Sequence, residues 1–158
     1  FVKRGGEFTV NIGEIVDGQP VSGVVLAPAI GRLFVGAVGE GAFEVAGNAI
    51  RDIACRKPDA DGLVAVSSRS HPDAKTDELL KSLPIKGHTN AGSSLKFCLV
   101  AAGEADIYPR AGTTMEWDTA AGHAVLRAAG GTVTNWDGSP FVYGKPDFRN
   151  GPFIAKGF

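Results

Sequence analysis

The spacing of hydrophobic residues divides the chain into two parts with different predicted structures. In residues 1–50, apolar and polar residues alternate in short runs, as in residues 8–12, and glycines separate the runs. Alternation with a period of two is typical of strands with one buried face. We therefore predict an antiparallel strand meander that turns at residues 17–18, 31–32 and 39–41.

From about residue 54 onward, short apolar runs alternate with helical patterns instead. The predicted strands cover residues 63–67, 85–89, 105–108, 132–136 and 153–155. The predicted helices begin near residues 70–73, 93–94 and 118, and they end before Pro84, Gly103 and Gly130. Strand-helix alternation of this kind indicates an α/β lobe. The polar segment 52–62, which contains a proline, is the expected crossing between the two parts.

The most informative of these patterns is the helix that begins at Asp118. Trp117 is predicted to be its large apolar anchor, and Asp118 occupies the place of an N-cap or first-turn acid. The small residues that follow leave the backbone N–H groups of the first turn open to a ligand. An acid and open N–H groups at a positive helix end are suited to a metal ion together with a phosphate. The alternative is an ordinary capping aspartate.

Polar clusters interrupt the apolar sequence at four places, each at the end of a predicted element. They are residues 68–71, 92–96 and 108–110, and Asp118. Ends of elements are where α/β folds bind ligands. The clusters supply three cations and several neutral donors: Arg69, Lys96 and Arg110, and the hydroxyls of Ser68, Ser70, Ser93 and Ser94. This set suits a substrate with more than one phosphate.

Each cluster alone also has a structural explanation. Ser70 and Ser93 are suited to helix capping, His71 to the surface of a first turn, and Lys96 to a solvated helix face. Arg110 would be explained by pairing with one of the acids that precede it, Glu104 and Asp106.

Composition and charge are typical of a globular domain and argue against a nucleic-acid-binding protein. The chain has 158 residues, of which 44% are hydrophobic and 21% are charged, as in an ordinary globular domain. A net charge of -1 argues against a general nucleic-acid-binding surface. Cys55 and Cys98 have no metal-ligand spacing, and Cys98 lies in an apolar run, which indicates a reduced, buried thiol in a cytoplasmic protein. His88 and His123 have no evident polar partner and are interpreted as structural.

With these residues in view, the chain resembles the inositol monophosphatase superfamily. The helix-start signature Trp-Asp-x-Ala-Ala-Gly stands at residues 117–122, and the later Ala-Gly-Gly stands at residues 129–131. Residues 68–71, 92–98 and 108–110 resemble the bacterial 3'(2'),5'-bisphosphate nucleotidase branch of that superfamily. The resemblance covers essentially the whole chain. It implies an α/β fold of the α+β sugar-phosphatase type, with αβαβα layers in the full protein.

On this resemblance, residues 1–53 are the last strands of a first, metal-site lobe, and residues 54–158 are a second, substrate-binding lobe. The implied activity is a Mg²⁺-dependent phosphomonoesterase that converts adenosine 3',5'-bisphosphate, a by-product of sulfate activation, to AMP. Asp118 would be a metal ligand. The implied substrate-binding residues are Ser70, His71, Ser93, Ser94, Lys96 and Arg110, with the backbone beside Ala120 and Ala121.

The sequence departs from the family pattern in its metal ligands. The family also uses an upstream Glu-Glu pair and an Asp-Pro-x-Asp-Gly-Thr motif, and neither occurs in these residues. We therefore expect a C-terminal piece whose partner is the missing N-terminal segment, with no complete catalytic set and no Mg²⁺ of its own. Loss of upstream helices would uncover an apolar sheet face, which predicts association of the pieces or a disordered first segment. Homo-oligomers and a position at the inner membrane face are left open.

Three other functions stay open at this stage. A sibling phosphatase acting on inositol monophosphate or a sugar bisphosphate would share the helix of Asp118 and differ in the serine-rich clusters. A non-catalytic nucleotide-binding module would keep the clusters without the metal carboxylates. A purely structural α/β domain would leave the clusters unexplained.

Overall fold

The first half of the fold is a five-stranded antiparallel sheet built from consecutive strands. A computed structural model describes residues 6–68 and 73–158 of the chain. Its first strands lie side by side in chain order: β1 (Val10–Val16), β2 (Gln19–Ala27), β3 (Arg32–Ala37), β4 (Gly41–Ala46) and β5 (Ala49–Ile53). The predicted meander is therefore confirmed, and so are its turns between these strands.

The second half is a mixed sheet with helices. Its elements are β6 (Leu63–Ser68), α1 (Ala74–Ser82), β7 (Ile85–Ala91), α2 (Leu95–Ala101), β8 (Ile107–Arg110), β9 (Thr114–Met115), α3 (Glu116–Ala128), β10 (Thr132–Asn135), β11 (Arg149–Asn150) and β12 (Phe153–Lys156). The strand order is β10-β12-β8-β6-β7, and β9 pairs separately with β11. Strand β6 runs parallel to β7 and β8, while β12 runs antiparallel to β8 and β10. This mixed α/β arrangement confirms the predicted fold class.

The predicted helix start near residues 70–73 agrees with the structure at its last residue, whereas one strand of the first sheet was not predicted. Helix α1 begins at Ala74, and its N-cap is Asp73, whose Oδ1 accepts a hydrogen bond from the Thr76 N–H at 2.8 Å. Strand β5 was not predicted, because four of its five residues are exposed and its sequence therefore lacks a buried period-two pattern. The chain leaves the first sheet at Ile53 and enters the second at Leu63. The division into lobes at residues 53 and 54 stays a prediction.

Helix α3 lies directly on a row of glycines in the first sheet. Gly13, Gly23 and Gly36 are paired in register across β1, β2 and β3. A Cβ atom on Gly13 would lie 2.7 Å from the backbone nitrogen of Ala121, and one on Gly36 would lie 2.8 Å from the Cα of Val125. Such distances leave no room for any side chain, so the glycine row sets how closely α3 approaches the sheet.

The opposite side of α3 packs closely on α2. A Cβ atom on Gly122 would lie 2.7 Å from the ring of Phe97. Phe97 also stacks on Phe153 and meets Tyr108 edge-on, with ring centroids 5.5 and 5.1 Å apart. Helix α3 is thus held between the first sheet and the aromatic centre of the second half.

A network of ion pairs around the buried Glu44 extends from the first half to the exposed Glu104 of the second half. The carboxylate of Glu44 in β4 accepts from Arg32 Nε at 2.5 Å and from Arg51 Nε at 2.8 Å. Arg32 also pairs with Glu104 in the turn after α2. Although burial opposes ionisation, the two guanidinium groups hold the pKa of Glu44 below its ordinary value. Because Glu44 is buried, removal of either arginine would leave a poorly compensated charge.

The face of the first sheet opposite α3 is apolar and exposed. Its residues alternate with the glycine row, so Ile12, Val24, Val35 and Phe43 follow one another across neighbouring strands. Ile12 is 68% exposed, and Ile50 in β5 is 72% exposed. The association of chains expected from the sequence stays a prediction. Among the described residues, no helix combines the length and apolar character needed to cross a bilayer.

Substitution Gly23→Ala should destabilise the fold, because the new methyl group would lie 2.9 Å from the Cβ of Ala124 and would also meet the carbonyl oxygen of Ala121. Overpacking of this kind lowers the free energy of unfolding by about 1–3 kcal/mol. Urea unfolding followed by circular dichroism would measure the change. Gly151→Ala is the matched control, since its Cβ would meet no heavy atom within 4 Å. Equal unfolding midpoints for the two variants would contradict the close contact of α3 with the glycine row.

Candidate functional site

A cavity of about 320 Å³ lies where the two halves of the fold meet. The parallel strands β6, β7 and β8 have their carboxyl ends at one edge of the second sheet, and β1 and the start of α3 close the cavity. Its walls carry many polar side chains: Asn11, Ser68, Ser93, Ser94, Lys96, Phe97, Tyr108, Arg110, Thr113, Thr114, Asp118 and Thr119. A polar cavity at the carboxyl ends of parallel strands is a common ligand site.

The cavity brings together five of the residues selected from the sequence. Ser93, Ser94, Lys96, Arg110 and Asp118 all line it, although they come from separate elements. Ser70 and His71, together with Arg69, lie outside the described residues. Ala120 and Ala121 are not among the residues of the cavity wall.

Ala121 lies against the first sheet. It is buried, and its backbone nitrogen and carbonyl oxygen face Gly13 and Gly23, while Ala120 is partly buried and contacts Gly13. The small residues of the Trp-Asp-x-Ala-Ala-Gly segment therefore permit close packing on both sides of α3. The substrate-facing role of the backbone at Ala120 and Ala121 stays a prediction.

Asp118 caps its own helix and also lines the cavity. It is the third residue of α3, and its Oδ2 accepts a hydrogen bond from the Met115 N–H at 2.8 Å. The capping interaction involves one of the two carboxylate oxygens. The two interpretations of Asp118, as a helix cap and as a ligand-binding acid, are therefore compatible.

The prediction that Trp117 anchors the helix is wrong. Trp117 is 61% exposed, and its nearest aromatic neighbour is Phe148, with ring centroids 6.2 Å apart. As the second residue of α3, it lies on the side of the helix away from the core. The buried face of α3 is formed instead by residues further along, including Val125 and Leu126.

Lys96 is the most buried charged group of the cavity. It is 3% exposed, so the solvated helix face considered from the sequence is wrong. Its ammonium donates to the carbonyl oxygens of Ser93 at 2.6 Å and Ala91 at 3.3 Å, and it lies 5.1 Å from the centre of the Tyr108 ring. Burial, with a smaller contribution from Arg110, lowers the pKa of Lys96 to about 8.

Ser93 and Ser94 bind residues of the first sheet. The Ser94 hydroxyl donates to Asn11 Oδ1 at 2.5 Å, and Thr9 Oγ1 lies 2.5 Å from Ser93 Oγ and 2.9 Å from Ser94 Oγ. Ser94 precedes α2 but makes no capping hydrogen bond through its side chain. Capping therefore does not explain this serine pair.

Thr9 and Asn11 were missed in the sequence analysis. They alternate with apolar residues and fall on the same side of β1 as Gly13, which is the side that α3 covers. Polar residues on the covered side of an amphipathic strand were the available signal. Asn11 is the one of the two that lines the cavity.

Arg110 does not pair with either of the two acids considered from the sequence, Glu104 and Asp106. Asp106 pairs with Arg56 at 2.8 Å, and Glu104 pairs with Arg32 and Arg51. The Nε of Arg110 donates to the carbonyl oxygen of Gly112 at 3.3 Å. A guanidinium group has five N–H donors, so Arg110 retains donors for an anion in the cavity.

A buried hydrogen-bond chain supports the start of α3 from behind. Thr119 Oγ1, at the cavity wall, accepts from Asn150 Nδ2 at 3.1 Å and from the Tyr143 hydroxyl at 3.2 Å. Tyr143 Oη lies 3.0 Å from His123 Nδ1. His123 is thus structural, as predicted, but the expectation that it lacks a partner is wrong. Burial, with Arg127 and Lys145, lowers its pKa to about 3.

The described residues do not fit a complete magnesium site. Asp118 is the carboxylate in the cavity wall, and residues 6–68 and 73–158 contain no group of three or more His, Cys, Asp or Glu placed to hold a metal ion. Mg²⁺ requires near-octahedral oxygen coordination and is held in proteins by carboxylates together with waters or substrate phosphates. Asp118 by itself supplies one such ligand.

Comparisons of the sequence and of the structure with known proteins match the same group of phosphatases. The family model described as "Inositol monophosphatase family" matches residues 1–156. The 3'(2'),5'-bisphosphate nucleotidase CysQ of Escherichia coli K12 is 50% identical over 143 residues, which are 90% of this chain and 57% of that protein. A crystal structure of CysQ from Bacteroides thetaiotaomicron matches with a TM-score of 0.86 and 38% identity, covering 99% of this chain and 65% of the other.

An inositol monophosphatase from Anabaena also matches, with a TM-score of 0.79 and 30% identity over 99% of this chain and 64% of that one. The chain thus spans 57% of the length of the E. coli relative.

Acidification should destabilise the fold through His123. The pKa of His123 is lowered from 6.5 to about 3 in the folded chain. Between these two pH values the unfolded chain is protonated at His123, whereas the folded chain is not. The free energy of unfolding therefore falls as pH drops below about 6, by roughly 1.4 kcal/mol per pH unit from this residue. Urea unfolding at several pH values would measure the slope.

The His123→Gln variant should reduce that slope, whereas His88→Gln, at an exposed position, should leave it unchanged. The same slope for the His123 variant and the unmodified chain would contradict the assignment.

Proposed function

The chain belongs to the inositol monophosphatase family, and from this membership and the cavity we propose a phosphomonoesterase that acts on a nucleotide bisphosphate. The proposed reaction removes the 3'-phosphate of adenosine 3',5'-bisphosphate and yields AMP and inorganic phosphate. The observation that carries the proposal is the meeting of Lys96, Arg110, the serine pair and Asp118 in one cavity. Two cations and several hydroxyls suit a ligand with two phosphates.

Each residue has a part that follows from its position. Arg110 binds a phosphate through its N–H donors, and Lys96 contributes charge from the buried wall. The hydroxyl of Ser93 supplies a neutral donor beside them. Ser70 and His71 complete the proposed binding set on the sequence resemblance alone. Ala120 and Ala121 contribute through the packing that sets the position of Asp118.

Magnesium is part of the proposal for the enzyme. Enzymes of this family generally use Mg²⁺. Asp118 would supply one oxygen ligand, and waters, substrate phosphates and further protein oxygens would supply the others. The described residues themselves bind and orient the substrate and offset the charge of its phosphates.

The cellular setting is proposed from the same chemistry. The substrate is a by-product of sulfate activation, which links the enzyme to sulfate assimilation. Cys55 and Cys98 are free thiols, and the burial of Cys98 agrees with the sequence expectation. Both thiols support a reducing, cytoplasmic compartment. The exposed apolar face around Ile12 supports association between copies of the chain.

A second candidate is a nucleotide-binding module without catalysis. The observation in its favour is that, among residues 6–68 and 73–158, Asp118 is the one carboxylate in the cavity wall. This candidate predicts binding of the nucleotide without release of phosphate.

Activity should favour the nucleotide and depend on Asp118. Mg²⁺-dependent phosphate release by the protein at its natural length would be compared for adenosine 3',5'-bisphosphate, inositol 1-phosphate and fructose 1,6-bisphosphate. Asp118→Asn should lower the rate by roughly a hundredfold or more, because even loss of an outer partner of a metal site has effects of 10- to 100-fold. Asp17→Asn, in the exposed turn between β1 and β2, is the control.

Three results would change the proposal. A preference for inositol 1-phosphate or for fructose 1,6-bisphosphate would replace the substrate and retain the metal chemistry. Binding without phosphate release would favour the second candidate. Full activity of the Asp118 variant would remove Asp118 from the site.

Binding of the bisphosphate should depend on Arg110 even without catalysis. Arg110→Met should weaken adenosine 3',5'-bisphosphate by roughly tenfold or more, since loss of one partner in a charged hydrogen-bonded pair has large effects. Isothermal titration calorimetry with the 158-residue chain would measure the dissociation constant. Arg127→Met, whose guanidinium donates to Gln19 and to the carbonyl oxygen of Pro20 and is not part of the cavity wall, should bind like the unmodified chain. Equal losses in both variants would contradict a specific role for Arg110.

A further inference from the structure

The turn between β7 and α2 has a backbone conformation that its sequence disfavours. Ser93 has φ of 52°, in the left-handed region that side chains other than glycine rarely adopt. Gly92 precedes it, but the left-handed residue is the serine. A conformation of this kind persists only where surrounding contacts hold it.

Lys96 donates two of the hydrogen bonds that hold this turn. Its ammonium donates to the carbonyl oxygen of Ala91, at the end of β7, and to that of Ser93 itself. These two acceptors flank the disfavoured residue. Because an ammonium group has three N–H donors, Lys96 directs most of its hydrogen-bonding capacity to the turn.

The conformation of the turn determines which side chains the cavity presents. In the left-handed conformation, Ser93 Oγ reaches Thr9, and Ser94 Oγ reaches Thr9 and Asn11. These contacts join the turn to β1 and to the residue before it, beside the cavity whose wall includes Asn11. If Ser93 relaxed to an ordinary conformation, the carbonyl group bound by Lys96 would turn and the two hydroxyls would move with the chain.

We propose that Lys96 is a positioning residue that holds Ser93 in the left-handed conformation and thereby fixes the positions of Ser93 and Ser94 in the wall of a cavity that binds a phosphate-bearing ligand. The role goes beyond the charge that Lys96 brings to the cavity. It rests on the proposed function only in taking a nucleotide bisphosphate as the ligand.

A double-mutant cycle separates positioning from charge. In the otherwise unmodified chain, Lys96→Met should weaken binding of adenosine 3',5'-bisphosphate by roughly 10- to 100-fold, as expected for lost charge-assisted hydrogen bonds. In the S93G background, the same change should weaken binding only a few-fold, because glycine adopts positive φ without support. Calorimetric titration would give the four dissociation constants. Equal effects of Lys96→Met in both backgrounds would overturn the proposal.

A neutral variant provides a second test. Lys96→Gln removes the charge but keeps N–H donors for the two carbonyl groups, so it should bind more tightly than Lys96→Met. Thermal unfolding of each variant would verify that it is folded. Identical losses of nucleotide affinity in the glutamine and methionine variants would show that Lys96 contributes to binding through its charge alone. That result would overturn the positioning role.

The conformation of Ser93 can be measured without ligand. Carbon chemical shifts of Ser93 report the sign of φ, and Lys96→Met should move them away from left-handed values. Unchanged shifts would overturn the inference. Failure of the unmodified chain to bind the nucleotide would overturn the proposed function instead, and the Ser93 shifts would then decide the role of Lys96 independently.

Discussion

The contact on which the rest of the structure depends is the close approach of helix α3 to the glycine row of the first sheet. Gly13, Gly23 and Gly36 leave the backbone of the helix as the surface that covers the sheet. Any side chain in that row would lift α3 away and move its first turn. Asp118, the candidate metal ligand, lies in that turn. Its position is therefore set by the packing of α3 on the glycine row, several residues away along the helix.

Hydrogen bonds extend the same junction to the cavity. Thr9 and Asn11 in the first sheet hold the serine pair that precedes α2, while Asn150 and Tyr143 support Thr119 at the start of α3. The site is therefore shared by the two halves of the fold and is supported on both sides by hydrogen-bonded polar groups, of which Ser94, Thr119, Tyr143 and Asn150 are buried. Such groups stabilise a structure only when they are satisfied, which favours one arrangement of the cavity over its alternatives.

Residues that carry a local signal were found from the sequence. Lys96, Arg110 and Asp118 stand out because charged residues interrupt apolar runs at the ends of elements, and all three line the cavity. Thr9 and Asn11 were missed because the sequence does not show which face of the strand is covered. A polar residue on the covered face therefore cannot be distinguished from one on the solvent face. The prediction for Trp117 was wrong for a related reason. A large apolar residue at a helix start favours burial, but the sequence does not show which side of the helix faces the core.

By itself, the sequence determined the order of most elements, the α/β class and the helix-start signature, because these depend on local periodicity and on motifs of neighbouring residues. Only the tertiary structure decided that the Ala-Ala-Gly segment packs between the glycine row and Phe97, and that Lys96 donates to the turn of Ser93. Both depend on contacts between elements and on a backbone angle that serine rarely adopts. Such distances and angles arise from the packing of the whole chain, which no local pattern contains.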